Sequence, residues 1–196
     1  MLKRFFPILA LTAVCWLVLA ANAFLWHGQL NEYGIVPRRM QGLPGILWAP
    51  FLHASVQHLV ANTVPMLILG GIICGRSPAE FVRVTIGGIA LGGGLTWLIA
   101  RPASHIGASG LIFCFFGYLA SLAYFQRTFG ALLLSVVCIL GYGGIIRGVV
   151  PTSGPISWEA HASGLVAGII LASATAKSAR SGRANLFSGA SSRANR

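Results

Sequence analysis

Gly107-Ala108-Ser109-Gly110-Leu111-Ile112-Phe113-Cys114-Phe115-Phe116-Gly117-Tyr118 is the stretch on which the reading of this chain turns. A short polar loop, Arg101 to His105, gives way here to a long apolar run with a serine at its mouth. Further on, Trp158-Glu159-Ala160-His161-Ala162-Ser163-Gly164 opens another apolar run with a histidine near its mouth. A hydroxyl and an imidazole at the mouths of two membrane helices are the minimum parts for a serine hydrolase inside a bilayer.

The composition demands a membrane. The chain has 196 residues, of which 56% are hydrophobic and only 9% charged, too few charges to cover the surface of a soluble domain. Mean hydropathy is +0.78. The formal charge of +11 raises the possibility of nucleic-acid binding. However, the basic residues sit between and after apolar runs, as topology signals do, so no nucleic-acid partner is expected. The cysteines Cys15, Cys74, Cys114 and Cys138 lie in or beside apolar runs without metal-ligand or CxxC spacing, which points to packing.

A helix needs about 20 apolar residues to cross a bilayer. Six runs approach this length: 6–26, 55–74, 81–100, 108–125, 129–146 and 157–176. The expected fold is an all-α membrane protein, a bundle of six transmembrane helices over 1–176. A basic tail, expected to be disordered, follows over 177–196. Lys3-Arg4, an apolar stretch and Ala21-Asn22-Ala23 have the outline of a signal peptide. The stretch is long for that role and Trp26 makes an interfacial anchor, so the first run is read as a retained span. The connection from Trp26 to about Ala54, rich in Pro and Gly, is read as a partly embedded interfacial segment.

Charge sets the expected orientation. With a cytoplasmic N-terminus, Lys3, Arg4, Arg76, Arg83, Arg127, Lys177, Arg180, Arg183, Arg193 and Arg196 lie inside. Only Arg38, Arg39, Arg101 and Arg147 lie outside, as the positive-inside bias requires. Both termini are then cytoplasmic, and a short six-span core fits a bacterial cytoplasmic membrane. This assignment used no histidine, yet it puts His27, His53, His58, His105 and His161 on the outer side together with Ser109.

Spacing adds detail. His58 and Asn62 are four apart and share a helix face, which His53 does not. His161, Gly164 and Gly168 form one stripe, and Ser109, Phe113 and Gly117 another. Small residues on such stripes let helix backbones approach closely, so span four can press against span six. Gly87-Gly88 and Gly92-Gly93-Gly94 in span three mark close packing or a weakened helix. No metal is expected, because the outer end has no thiolate and Glu159 is a poor ligand candidate.

Taken together these residues resemble the rhomboid family of intramembrane serine proteases. Tyr33-Gly34-Ile35-Val36-Pro37-Arg38, Ala49-Pro50-Phe51-Leu52-His53, His58 and Asn62 are similar to its first loop and second helix. Gly107-Ala108-Ser109-Gly110 with Gly117-Tyr118 resembles its nucleophile helix. Ala160-His161 with Gly164 and Gly168 resembles its sixth helix. The resemblance implies a rhomboid-like bundle with Ser109 as nucleophile and His161 as general base. It further implies that His58, Asn62 and the Ser109 backbone amide stabilise the oxyanion, and that no cofactor is used. Many members carry a Tyr four residues after the nucleophile, packed on the imidazole. Here that position is Phe113, which can stack but lacks the hydroxyl. Gly110, Gly117, Gly164 and Gly168 are expected as helix contacts.

The residues support the same chemistry. Ser109 lies near a helix N-terminus, where unpaired N–H groups and the dipole favour an oxyanion. The chain has no Asp, Glu80 is at the other end, and Glu159 is two residues from His161 and faces away. The expectation is therefore a Ser–His dyad with the imidazole oriented by packing. The expected activity is that of a serine endopeptidase acting on transmembrane protein substrates in the lipid bilayer, near the extracytoplasmic face. The alternative is a catalytically inactive relative that binds or chaperones transmembrane helices.

Overall fold

A computed structural model describes residues 2–154 and 156–194, with side chains described for 3–154 and 156–178. Six helices are long and apolar enough to cross a membrane. They are α1 (Leu2–Phe24), α2 (Val56–Arg76), α3 (Pro78–Ile99), α4 (Ser109–Gln126), α5 (Phe129–Tyr142, continued by a 3-10 stretch to Val149) and α6 (Trp158–Ala194). The described residues form no named strand, only an isolated bridge between Ile35 and His105. The α6 backbone continues past the expected span end at Ala176. The expectation of a disordered tail over 177–196 falls mostly on residues whose side chains lie outside those described.

Caps set the starts of α2 and α3. Ser55 starts α2, its Oγ accepting from the His58 N–H at 3.1 Å. Ser77 starts α3 three residues before the expected position, its Oγ accepting from the Glu80 N–H, with Pro78 in the first turn. Ser55 stands at the expected start of its run, whereas Ser77 and Pro78 lie outside the apolar run that reveals α3.

The long connection after α1 does not cross the membrane. It folds as short helices over Gln29–Tyr33, Met40–Gly42, Gly45–Trp48 and Ala49–Phe51. The Arg38 Nη1 donates to the carbonyls of Leu98 and Ala100, closing the end of α3. The Ile35 and His105 backbones exchange two hydrogen bonds, which ties this connection to the loop before α4. It thereby forms a platform under the turn that carries Ser109.

α4 is the most enclosed span. Leu111 through Leu119 are all buried in it, as is Leu122. Its sequence is apolar on every side, which suits a central helix. α5 is the least enclosed, and its exposed Leu132, Leu133, Val136 and Leu140 offer an apolar face to lipid. α3 is interrupted by a π-helical turn over Gly88–Gly92, inside the glycine-rich stretch. Gly88 meets the Cys114 side chain there, and Gly92 packs on the Gly164 backbone.

The most extensive helix contact joins α4 to α6, and it depends on missing side chains. A Cβ at Gly164 would fall on the Gly110 carbonyl, and one at Gly168 on the Cys114 carbonyl. A Cβ at Gly117 would sit 2.5 Å from the Leu165 carbonyl oxygen. From the middle of α4, the Tyr118 hydroxyl donates to Glu80 Oε1 at 2.9 Å, and Arg76 Nε donates to the same oxygen at 2.8 Å. Gly164→Val should therefore lower stability by at least the roughly 1–3 kcal/mol typical of overpacking. Gly71→Ala, where a Cβ meets nothing within 4 Å, should change little. Thermal unfolding of both variants in detergent checks this pair of outcomes.

Candidate active site

Ser109 opens α4 and His161 lies in the first turn of α6, so the glycine contact between the two helices decides their separation. Ser109 Oγ and His161 Nε2 are 2.9 Å apart. His161 Nδ1 lies 2.9 Å from the Gly148 carbonyl oxygen. A carbonyl can only accept, so Nδ1 carries the proton and donates to it. Nε2 is left as an acceptor for the Ser109 hydroxyl. The Phe113 ring stacks on the imidazole at 4.3 Å with an interplanar angle of 8°. His161 is 8% exposed and Phe113 3%, so the ring is confined by packing on one face and by hydrogen bonds at both nitrogens.

His58 and Asn62 lie one turn apart at the start of α2, facing the turn before Ser109. Gly107 has φ +113°, a backbone region that favours glycine. A Cβ there would also lie 2.8 Å from His58 Nε2 and 3.7 Å from Asn62 Nδ2. The bare Gly107 backbone lets both side chains stand over the turn. Asn62 is buried, and its Nδ2 has no hydrogen-bond partner among the described residues. A native buried donor left open calls for a functional explanation.

Two clefts meet at these residues. One, of about 570 Å³, is lined by His58, Asn62, Ser104, His105, Ser109 and His161, with Arg101 and Ile156 at its wall. The other, of about 400 Å³, lies between Ala61 and Pro65 of α2 and Tyr142, Gly144 and Ile145 at the end of α5 and in its 3-10 extension, and it reaches Ser109 and His161. Pro65 lacks an N–H, so α2 cannot close its usual bond to the Ala61 carbonyl on this side.

Three contributors were not assigned a role by sequence reasoning. His53 does not share the helical face of His58, because it precedes the helix. The fold nevertheless brings the two rings together edge to face, with centroids 5.0 Å apart. His53 Nδ1 donates to the Phe51 carbonyl, and Nε2 accepts the Ala108 N–H at 3.3 Å, fixing the turn before Ser109. His105 Nε2 donates to the Arg101 carbonyl, and Nδ1 accepts from the Ser157 hydroxyl at the start of α6. For His105 the available signal was its place two residues before Gly107; for His53 it was a histidine just ahead of the Ser55 cap. Gly148 left no signal, because it acts through its backbone carbonyl. Among the described residues no group of three or more His, Cys, Asp or Glu is placed to hold a metal ion.

Glu159, expected to face away from His161, has its Oε1 3.4 Å from both the Arg101 Nε and the Arg101 N–H. His27, at the end of the first span, is exposed and takes no part in the cluster.

Burial pushes the His53 pKa down to about 4, and the neighbouring His58 acts in the same direction. The ring is therefore neutral in the folded protein, as its acceptor role requires. Between the ordinary histidine value of about 6.5 and 4, the unfolded chain binds the proton that the folded chain refuses, so stability falls as pH drops. His53→Gln removes that titration and should flatten this part of the stability–pH curve. Unfolding midpoints for both proteins from pH 7 to 4 measure the difference.

The Rhomboid domain family model matches residues 41–178. An uncharacterized protein of Mycobacterium bovis is 38% identical over 194 residues, covering 94% of this chain and 80% of the relative. An uncharacterized protein of Mycobacterium tuberculosis matches to the same extent. One from Mycobacterium leprae is 37% identical over 174 residues, covering 84% of this chain and 68% of the relative. The matched domain takes in every residue lining the Ser109–His161 cleft, from Ala54 to His161, so this chain belongs to the rhomboid family as an integral multi-pass membrane protein.

Proposed function

We propose that this protein is an intramembrane serine endopeptidase that cleaves transmembrane segments of membrane proteins near the extracytoplasmic face. The observation that carries the reading is the line Gly148 carbonyl, His161 imidazole, Ser109 hydroxyl. It presents an unprotonated Nε2 to the serine proton without any carboxylate.

Ser109 Oγ attacks the scissile carbonyl carbon as its proton passes to His161 Nε2. The carbonyl oxygen becomes an oxyanion. His58, the open Asn62 amide and the first N–H groups of α4 are the donors that stabilise it. The C–N bond then breaks, and His161 returns the proton to the leaving amine. Water, deprotonated by His161, attacks the acyl-enzyme and releases the new carboxyl group and Ser109. The polar 570 Å³ cleft supports this step, since hydrocarbon supplies no water. A helical substrate hides its carbonyls in i to i+4 bonds and must unwind locally, so helix-weakening or small residues mark the cut. The apolar walls of the cleft between α2 and the end of α5 suit such a segment arriving from the bilayer.

The proposal includes the topology that the charges favour: both termini cytoplasmic, a catalytic unit over 1–176, a basic tail over 177–196, and a bacterial cytoplasmic membrane as the site of action.

Cleavage of a reporter with one transmembrane segment should be lost in Ser109→Ala and in His161→Ala. Asn62→Ala should retain the fold and lose about 10²- to 10³-fold in kcat. A fluorophosphonate probe should label the wild type and not Ser109→Ala. Equal labelling of the two, or no cleavage by folded wild type, would favour the inactive helix-binding relative.

A further inference from the structure

The connection from Val150 to Ser157, between the end of the α5 extension and α6, contains no helix or strand among its described residues. Its carbonyls at every second position, Thr152, Gly154 and Ile156, converge on one guanidinium. Arg101 Nη1 donates to Thr152 at 2.7 Å, and Nη2 donates to Gly154 at 2.9 Å and Ile156 at 2.7 Å. The Nε of the same side chain pairs with Glu159 in the first turn of α6 at 3.4 Å. Three carbonyls and a carboxylate engage all three nitrogens of the planar fork, an arrangement a lysine cannot reproduce. Gly148, whose carbonyl receives His161 Nδ1–H, lies four residues before Thr152, at the end of the 3-10 extension of α5 from which this connection leaves.

We infer that Arg101 is a positioning residue for His161. It holds down the connection that follows the Gly148 carbonyl, and so keeps the imidazole in its Nδ1–H tautomer with Nε2 turned to Ser109. In a dyad that uses no carboxylate, this carbonyl takes the place of the third member. A carbonyl at the frayed end of a short 3-10 stretch stays in place only if the connection that follows it is anchored. Arg101 supplies that anchor, while its pairing with Glu159 holds the turn of α6 that bears His161. The kinetic consequence rests on the proposed proteolytic function. The structural consequence, the tautomer, does not.

Two readouts on the full chain in detergent test this. With the transmembrane reporter, Arg101→Ala should lose about ten- to hundredfold in kcat, with KM within about threefold, and Arg101→Lys should fall between it and the wild type. In ¹⁵N-histidine spectra, with the His161 signals identified by their loss in His161→Asn, the wild type should show one Nδ1–H tautomer. Arg101→Ala should show a mixture or the Nε2–H form, and if that variant does not fold, Arg101→Lys carries the measurement. A single unchanged tautomer in the folded variant, or a rise in KM at constant kcat, would overturn the inference. If the wild type cleaves nothing but the tautomer changes as stated, the proteolytic reading fails and the positioning role stands. If the wild type cleaves and neither kcat nor tautomer responds, the positioning role alone fails.

Discussion

The close approach of α4 to α6 is the constraint on which the rest of the structure depends. Gly164 against Gly110 and Gly168 against Cys114 let the two backbones meet where any side chain would hold them apart. In lipid, where the hydrophobic effect does not press helices together, such contact relies on van der Waals packing, and small residues permit it. Because Ser109 and His161 lie in the first turns of these two helices, the same contact sets their 2.9 Å separation. The π-helical turn of α3 packs on both helices at the same level, so the glycines of three helices form one tightly packed unit behind Ser109.

The second theme is the use of backbone carbonyls where a soluble hydrolase would use carboxylates. The rings of His53, His105 and His161 each donate one N–H to a carbonyl, from Phe51, Arg101 and Gly148 respectively. Each is left with one acceptor nitrogen, directed to the Ala108 N–H, the Ser157 hydroxyl and the Ser109 hydroxyl. A carbonyl fixes a tautomer without adding a charge to be desolvated, which suits a chain with no Asp and three Glu. Two of those carboxylates are paired with arginines, Glu80 with Arg76 and Glu159 with Arg101. Both pairs join one helix end to the next, at the two ends of the bundle, and neither touches Ser109.

These features divide the region around Ser109 into a rigid side and an open side. Toward α3, α4 and α6, glycine contacts, the Ile35–His105 bridge and the Arg101 bonds fix the backbone. Toward α2 and the end of α5, a 400 Å³ cleft separates the helices, and α5, the least enclosed span, packs mainly on α4. Movement that admits a bulky segment is therefore cheapest at α5, where few buried contacts oppose it.

The sequence by itself determined the spans, because a bilayer requires about 20 apolar residues and the chain contains six such runs. It singled out Ser109, His161, His58 and Asn62, which the fold gathers at one cleft, because a serine and several histidines at one end of apolar helices stand out against their surroundings. It also marked the α4–α6 stripes, because glycines at helical spacing are local information. It left the cap Ser77 outside the runs, since polar residues that end a helix are invisible to hydropathy. Only the tertiary structure decided how His53 reaches Ala108, how Gly148 orients His161, and how Arg101 binds three alternate carbonyls. Those interactions join residues up to 55 positions apart and use backbone atoms that every residue type shares, so no side-chain pattern along the chain could announce them.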